Sequence, residues 1–300
     1  MSGGKWMHVA EKGGVWGIRF VVWLSTAFGR GAARFFLLFL AAYYLLFHKA
    51  VRNASRAYLE RLHGRPVGLA AVYRHILTFA KVTLDRLFFA SGKSKPFQIE
   101  FHGEEHLRAL RDSKKGALLV LAHHGSFEAA RALSHERQFA INILGNFSNA
   151  RMLNEALDQA GGSVLNARLI DIGRGDVDFV FKVQERLEAG ELVATMGDRV
   201  GPDGKQVQAE FLGKSAPFPT GPYLLAAALG CPVYLAFGIY SEPNRYDLYC
   251  EPFCEQVVLP RGQRQQALEA QAQAYAGRLE HYCRMAPDNW FNFYDFWSTN

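Results

Sequence analysis

The sequence predicts an α/β protein whose mixed, largely parallel sheet is flanked by helices and preceded by a hydrophobic helical region. Three observations support this fold class. From Phe97 onward, short aliphatic or aromatic runs alternate with segments of helical periodicity, as βαβ units require. Residues 35–47 form an uncharged apolar run. The chain has 300 residues, of which 49% are hydrophobic and 21% charged, which is typical of a folded protein with a sizeable core.

The first element is a hydrophobic segment made of two apolar stretches, residues 20–29 and 35–47, which Arg30 and Arg34 separate. As a helix the second stretch is about 20 Å long, shorter than the bilayer core of about 30 Å. Two membrane arrangements stay open: a tilted single span over residues 15–47, or an interfacial helix that enters one leaflet. A buried core helix is the alternative without a membrane. Basic residues after the run predict that the following domain is cytoplasmic.

The N-terminal third of the chain is strongly basic. Residues 1–95 contain fifteen Lys and Arg against three Asp and Glu, a net charge of +12, whereas residues 96–300 carry a net charge of −6. Nucleic acid and an anionic membrane both fit this balance, but the apolar run favours the membrane, and we expect no nucleic-acid partner. A Gly-, Ser- and Pro-containing break at residues 91–96 predicts a membrane-anchoring region (1–95) followed by an α/β domain (96–300).

The remaining elements follow from local periodicity. Residues 69–89 carry apolar side chains at helical spacing and predict a helix. Further helices are predicted at residues 125–137, 149–160, 177–189, 221–229 and 263–285. Strands are predicted at residues 97–101, 116–123, 139–144, 168–172, 191–196, 232–240 and 245–253. Residues 197–219, which contain several Gly and Pro, are predicted to form a long loop.

The most informative segment is residues 118–131, LLVLAHHGSFEAAR, in which an aliphatic run ends in two histidines. This order predicts a buried strand, a turn and a helix. The strand end would present His123, and the first helical turn would present Glu128. A carboxylate that orients a histidine makes it a ready general base. The alternative is structural, with the histidine capping the turn and the glutamate complementing the helix dipole. Spacing alone leaves both open.

Charged side chains also follow other predicted strands. Asp198 and Arg199 come directly after the strand that ends at Met196, and Arg174 follows another strand. Because ligands bind at the carboxyl ends of strands in such sheets, these side chains are candidates for the site of His123. Arg199 is suited to hold a phosphate or to stabilise an oxyanion. A loop salt bridge is the alternative for Asp198 and Arg199.

Several other patterns favour structural roles. His102 and His106 have no third ligand, and the four cysteines form no C-x-x-C pair, so we predict no metal site. Two Gly-Lys-Ser triplets lack the first glycine of a P-loop, and no G-x-S-x-G elbow is present. His124 is expected to point away from His123 and to be structural. The aromatic ending, residues 290–297, is expected to pack in the core.

Together these residues resemble a known family. The spacing His123-x4-Glu128, with Gly125 inside it, is similar to the H-x4-D/E motif of the glycerolipid and lipid A acyltransferases. It is most similar to the lipid A biosynthesis (lauroyl/myristoyl) branch. Residues 196–199, 211–214, 219–222 and the pattern Pro287-x-x-Trp290 resemble later conserved regions of that branch. The resemblance covers residues 15–298.

The resemblance implies an acyltransferase at the cytoplasmic face of the bacterial inner membrane. The donor would be acyl carrier protein or acyl-CoA, and the acceptor a hydroxyl or amine of a lipid or glycolipid. The implied catalytic pair is His123 and Glu128, and the chemistry needs no cofactor or metal. The implied substrate-binding residues are Gly125, Ser126, Arg174, Asp198 and Arg199. A non-catalytic lipid-binding protein, or a thioesterase or esterase that uses the same pair on water, stays compatible with the residues.

Overall fold

A computed structural model describes residues 15–129, 139–145, 169–172, 178–201 and 204–298. Its strands are β1 (Gln98–His102), β2 (Ala117–Leu121), β3 (Ile141–Gly145), β4 (Leu169–Asp171), β5 (Leu192–Met196), β6 (Gln206–Phe211), β7 (Lys214–Pro219), β8 (Val233–Ser241) and β9 (Arg245–Cys254). Seven of them form one sheet in the order β1-β9-β8-β2-β5-β3-β4. Its neighbouring strands are parallel except β8 and β9. The predicted α/β class and largely parallel sheet are confirmed.

Helices cover both faces of this sheet. They are α1 (Val15–Phe47), α2 (Lys49–His63), α3 (Leu69–Ala90), α4 (Glu104–Asp112), α5 (Asp178–Glu188), α6 (Gly221–Leu229) and α7 (Arg264–Met285). Strand β2 lies in the middle and every residue of it is buried. Because side chains alternate along a strand, Leu118 and Val120 join one core cluster with α7, whereas Leu119 and Leu121 join another with α4. Burial on both faces explains the continuous aliphatic sequence of β2.

Helix α1 has a buried side and an exposed apolar side. Gly29 has non-helical torsion angles (φ 81°, ψ 174°), so the helix is broken there. After the break, the small or aliphatic residues Ala33, Leu37 and Ala41, four apart, are buried in the core. The opposite side exposes large aromatic rings, among them Phe35 and Phe39. The predicted hydrophobic helix is therefore present, and one of its sides already covers the body of the protein.

Two arginines fasten α1 to the rest of the structure. The Arg30 guanidinium donates two hydrogen bonds of 2.7 Å to the carboxylate of Asp85, which is completely buried in α3. The Tyr246 hydroxyl donates a third hydrogen bond to the same carboxylate at 2.8 Å. Arg34 donates to the hydroxyl of Tyr240 at 2.9 Å. The two arginines that interrupt the apolar sequence thus hold α1 against α3, through Asp85, and against β8, through Tyr240.

The predicted loop over residues 197–219 is wrong in its second half. Strands β6 and β7 pair there as an antiparallel hairpin. Alternate residues of β6 are buried, and its turn uses Leu212 and Gly213, both with positive φ. The alternation is visible in the sequence QVQAEF of β6, but the Gly and Pro residues of this segment indicated a loop. Helices α2 and α4 were also missed, whereas α3, α5, α6 and α7 match their predicted positions within one residue.

Some predictions cannot be compared with the structure. The predicted helix 149–160 and residues 130–137 of the predicted helix 125–137 lie outside the described residues. The domain boundary also stays a prediction. Strand β1 begins just after the predicted break, but side chains from both proposed parts share one buried cluster, as the rings of Tyr58 and Trp290 do at 5.0 Å between centroids.

Candidate active site

The sheet register brings His123 and Asp198 together. Strands β2 and β5 are parallel neighbours, and Leu121 pairs with Met196 at their carboxyl ends. His123 and Asp198 each follow two residues later in the chain. Two residues that are 75 positions apart in sequence therefore meet just beyond the same edge of the sheet, where ligands bind in open α/β folds.

The two side chains form a tight contact. Asp198 accepts a hydrogen bond from Nδ1 of His123 at its Oδ1 (2.8 Å) and another from the backbone amide of His123 at its Oδ2 (2.9 Å). The carboxylate is 1% exposed and the His123 side chain 30% exposed. Because a carboxylate only accepts, the neutral imidazole carries its proton on Nδ1, which leaves the lone pair on Nε2. The geometry therefore fixes the tautomer that acts as a base through Nε2.

The surroundings favour a neutral histidine beside an ionised aspartate. Desolvation first, and then the positive charge of Arg199, lower the pKa of His123 and outweigh the opposing effect of Asp198. Burial alone would raise the pKa of Asp198, but the hydrogen bonds and charge of His123, together with Arg199, lower it on balance. His123 at neutral pH is therefore able to accept a proton.

Glu128 is where the sequence places it, but it contacts another residue. Helical structure begins at Phe127, and Ser126 caps it by accepting a hydrogen bond from the Ala129 amide at its hydroxyl (3.2 Å). Glu128 lies in this first turn and forms an ion pair with Arg86 of α3, with Oε1 2.5 Å from Nη2. The carboxylate that orients His123 is thus Asp198, which corrects the orienting role predicted for Glu128. Any further catalytic role of Glu128 stays a prediction.

The turn between His123 and Glu128 leaves no room for a side chain at Gly125. Its φ is +62°, and a Cβ there would lie 1.8 Å from the carbonyl oxygen of Gly238. The amide of Gly125 donates to the carbonyl of Asn289 at 2.8 Å. Because that amide already has a partner, it is not available to stabilise an oxyanion, and a contact between Gly125 and substrate stays a prediction. Ser126 is completely buried, and contact between it and substrate stays a prediction.

A segment near the end of the chain completes the site, which the sequence analysis missed. Nε1 of Trp290 donates to Oδ2 of Asp198 at 3.0 Å. The amide of Phe291 donates to the carbonyl of His123 at 2.8 Å. Trp290 is buried, as expected for the aromatic ending, but its indole also supplies the third hydrogen bond to the Asp198 carboxylate. The available signal was the Pro-x-x-Trp pattern, which by itself says nothing about a contact with Asp198.

Arg199 lies beside the same segment. Its Nη2 donates to the carbonyl of Phe291 at 2.9 Å, and its guanidinium lies 5.7 Å from the ring centroid of Tyr294. The positive charge of Arg199 lowers the pKa of His123, and the predicted contact of Arg199 with substrate stays a prediction. Arg174 lies outside the described residues, so its predicted position at this edge stays a prediction.

His124 is structural, as predicted. It is buried, and its two ring nitrogens lie 3.2 Å and 3.1 Å from the carbonyl oxygens of Gly238 and Tyr282. His124 also lines an apolar pocket, which lies between the sheet and α4 and is bordered by the turn that follows β2. The lining residues that come from β2, β8 and α4 include Leu107, Leu119, Leu121, Ala236 and Phe237. Ala122 and His124, the two sequence neighbours of His123, both line this pocket.

A group of possible metal ligands occurs far along the sheet, at its β1 edge. Ligand atoms of Glu100, His102 and Asp247 lie within 4.8 Å of one another. Arg245 forms ion pairs with both carboxylates, at 2.6 Å to Glu100 and 2.7 Å to Asp247. In the described part of the chain, these two carboxylates therefore form an ion-pair cluster around Arg245.

Comparisons with known proteins support an acyl-transfer site. A search of curated proteins gave no match. A family model described as bacterial lipid A biosynthesis acyltransferase matches residues 3–299, nearly the whole chain. The match includes the strand end at His123, the loop of Asp198 and the segment of Trp290. It also sets aside a non-catalytic lipid-binding role. The chain belongs to the bacterial lipid A biosynthesis acyltransferase family and is an acyltransferase.

Proposed function

We propose that this acyltransferase moves a fatty acyl group from an acyl thioester to a hydroxyl or amine of a lipid or glycolipid. The observation that carries the proposal is the hydrogen bond between His123 and Asp198, because it leaves Nε2 of a neutral histidine as a base at the carboxyl edge of the sheet. The donor is acyl carrier protein or acyl-CoA. The basic N-terminal third supports a partner with negative charge, such as an acidic carrier protein or anionic lipid headgroups.

In this mechanism His123 takes the proton from the acceptor as its oxygen or nitrogen attacks the thioester carbonyl. The new bond forms a tetrahedral intermediate with a negatively charged oxygen. When this intermediate collapses, the carbon–sulfur bond breaks and the thiolate takes the proton from His123. Asp198 holds the ring in place and stabilises the imidazolium that exists between the two proton transfers. No covalent acyl-enzyme is formed.

The positive charges near His123 have a defined use in this scheme. Arg199 lies close enough to affect the imidazole electrostatically and is our candidate for stabilising the oxyanion. Ser126 and Arg174 stay candidates for substrate contacts. Glu128 lies in the helical turn that begins at Phe127, which we call the motif helix. It stays the second member of the His-x4-Glu pair, and its negative charge would stabilise the imidazolium. The apolar pocket between the sheet and α4 is our candidate for binding the acyl chain.

We also propose that α1 attaches the enzyme to the cytoplasmic face of the bacterial inner membrane. Residues Ala27–Phe47 are long and apolar enough to cross a bilayer. The buried positions Ala33, Leu37 and Ala41 and the ion pair of Arg30 with Asp85 favour the interfacial arrangement. A helix that packs along the domain and exposes aromatic rings on its other side is suited to lie in one leaflet.

The test is the loss of acyl transfer in His123→Ala. We expect kcat/KM to fall at least about 100-fold, since general bases contribute about 10²–10⁴-fold. The assay follows a radiolabelled lauroyl group from its thioester on acyl carrier protein into a bacterial total lipid extract, with lauroyl-CoA in parallel. His281→Ala, which removes an exposed histidine of α7, is the matched control.

The same assay separates the competing reactions. Donor that is consumed equally with and without the lipid extract would indicate hydrolysis rather than transfer. Near-normal transfer by a folded His123→Ala protein would contradict the assignment of the base.

A further inference from the structure

The motif glutamate is held by a residue outside the motif. Arg86 of α3 lies with Nη2 2.5 Å from Oε1 of Glu128, and the two side chains are 36% and 19% exposed. Nδ1 of His123 is already occupied by Asp198. Glu128 is therefore not required to hold the imidazole ring, and the contact that fixes its own position comes from a helix that precedes the sheet.

Arg86 is also close enough to act on the proposed base. Its positive charge is one of the influences that lower the pKa of His123, after desolvation and Arg199. Among the described residues, Arg199 also lowers the pKa of His123 by its positive charge, whereas Asp198 raises it by its negative charge and its hydrogen bond. Arg86 is thus the charged residue of α3 that acts on His123, and it also forms the ion pair with Glu128.

The position of Arg86 is fixed by its neighbour in sequence. Asp85 is completely buried and accepts hydrogen bonds from Arg30 of α1 and from Tyr246 of β9. This anchors the turn of α3 on which Arg86 lies. A partly exposed arginine ordinarily loses side-chain conformational entropy when it forms an ion pair. Because the backbone of α3 is already fixed here, only the side chain of Arg86 has to be ordered. The pair is consequently built into the fold.

We propose that Arg86 is a positioning residue for acyl transfer, which fixes the Glu128 carboxylate in the first turn of the motif helix and balances its negative charge beside His123. This proposal rests on the proposed function of His123 as the base. Arg86 acts through Glu128 and through its charge. Loss of Arg86 would leave a partly buried carboxylate without its partner, free to move and to attract the protonated form of His123.

The two single substitutions should shift the pH profile in opposite directions. In Arg86→Gln a positive charge is lost and the carboxylate is unpaired, so the pKa of His123 rises and the acidic limb of kcat/KM moves to higher pH. In Glu128→Gln a negative charge is lost and Arg86 remains, so the acidic limb moves to lower pH. We expect Arg86→Gln to lower kcat/KM at neutral pH at least tenfold. We expect Arg86→Lys, which keeps the charge, to recover most of that loss.

The double variant and a matched control complete the experiment. Arg86→Gln combined with Glu128→Gln should lose no more activity than the worse single variant, because the two side chains act as one pair. Arg108→Gln removes an arginine from another Arg–Glu pair, that with Glu104 on α4, and should leave the pH profile unchanged. All variants are assayed with lauroyl-acyl carrier protein and the lipid extract, and their melting temperatures are measured.

The outcomes distinguish this inference from the proposed function. Normal activity of Arg86→Gln, together with an inactive His123→Ala, overturns the role of Arg86 and leaves the base in place. Lower activity of Arg86→Gln with a lower melting temperature, no shift of the acidic limb and no recovery by Lys means a purely structural residue and also overturns it. An active His123→Ala overturns the proposed function itself.

Discussion

At the residue scale, the site depends on one carboxylate with three donors. Asp198 accepts hydrogen bonds from the backbone and ring of His123 and from the indole of Trp290. Removing a hydrogen bond to a charged group costs about 1.5–3 kcal/mol. The indole donor is of particular interest, since it comes from a segment that a motif search centred on His123 would not examine.

Trp290→Phe tests the indole donor. Phenylalanine keeps most of the aromatic packing but removes Nε1–H, so Asp198 loses a donor and attracts the imidazolium more strongly. We expect the acidic limb of kcat/KM to move to higher pH and kcat/KM to fall about tenfold, as about 1.4 kcal/mol of lost transition-state stabilisation would produce. Trp297→Phe is the control, because its buried Nε1 donates to the carbonyl of Phe211 (3.1 Å) instead. Identical pH profiles for the two variants would contradict the role of Trp290.

At the scale of elements, α1 has one side that is buried in the core and one side that is exposed. One side, at Ala33, Leu37 and Ala41, completes the core, and the other exposes the rings of Phe35 and Phe39. Only the exposed side is available to lipid. This separation lets membrane binding be altered without altering the fold.

The double substitution Phe35→Ser and Phe39→Ser should weaken membrane binding. The two rings are 63% and 60% exposed, and burying a phenylalanine side chain in an apolar phase contributes about 1.5–3 kcal/mol. We expect the fraction bound to vesicles containing anionic lipid to drop at least tenfold in a flotation assay, with the melting temperature nearly unchanged. Phe181→Ser on α5, which removes a ring that is 69% exposed, is the control. Equal binding by the double variant would argue against α1 as the lipid-facing element.

The predictive power of the sequence also differs between elements. Apolar periodicity identified α3, α7 and the strands of the main sheet, because burial determines their composition. It missed the hairpin β6–β7, because Gly and Pro residues in and around these strands indicated a loop, although β6 alternates between polar and buried apolar residues. At the site, the sequence identified His123, Asp198 and Arg199 as residues that follow strands. It predicted the nearby Glu128, five positions later, as the carboxylate that orients His123. In the structure His123 is hydrogen-bonded to Asp198 instead. This contact exists because β2 and β5 are neighbouring strands, and the spacing of residues within one segment does not show which strands are neighbours.

At the scale of the whole molecule, two buried histidines connect distant parts of the chain. His75 of α3 accepts a hydrogen bond from Ser55 of α2 at Nδ1 (2.8 Å) and donates from Nε2 to the carbonyl of Trp290 (2.9 Å). His124 lies between β8 and α7. Burial lowers the pKa of each of these two histidines to about 4. Both are therefore neutral in the folded protein at neutral pH.

Stability should fall as the pH is lowered from about 6.5 toward 4. Below the ordinary histidine pKa of about 6.5, the unfolded chain binds protons that the folded chain excludes, so acid favours unfolding. With folded values of about 4, the two histidines together should lower the free energy of unfolding by about 4 kcal/mol between pH 7.5 and pH 5. Urea unfolding at several pH values measures this loss, and His75→Gln should reduce it by about half. A free energy of unfolding that does not change over this interval would contradict buried neutral histidines.

The hydrogen bonds that join residues 289–291 to Gly125, Asp198 and His123 also have a consequence for synthesis of the protein. The ribosome delivers these residues after every strand of the main sheet and after α7. A nascent chain can form the strand that carries His123 well before it can supply the indole to Asp198. We therefore expect a chain that stops before Trp290 to contain the proposed base His123 without the indole donor to Asp198 and without the backbone contact from Phe291.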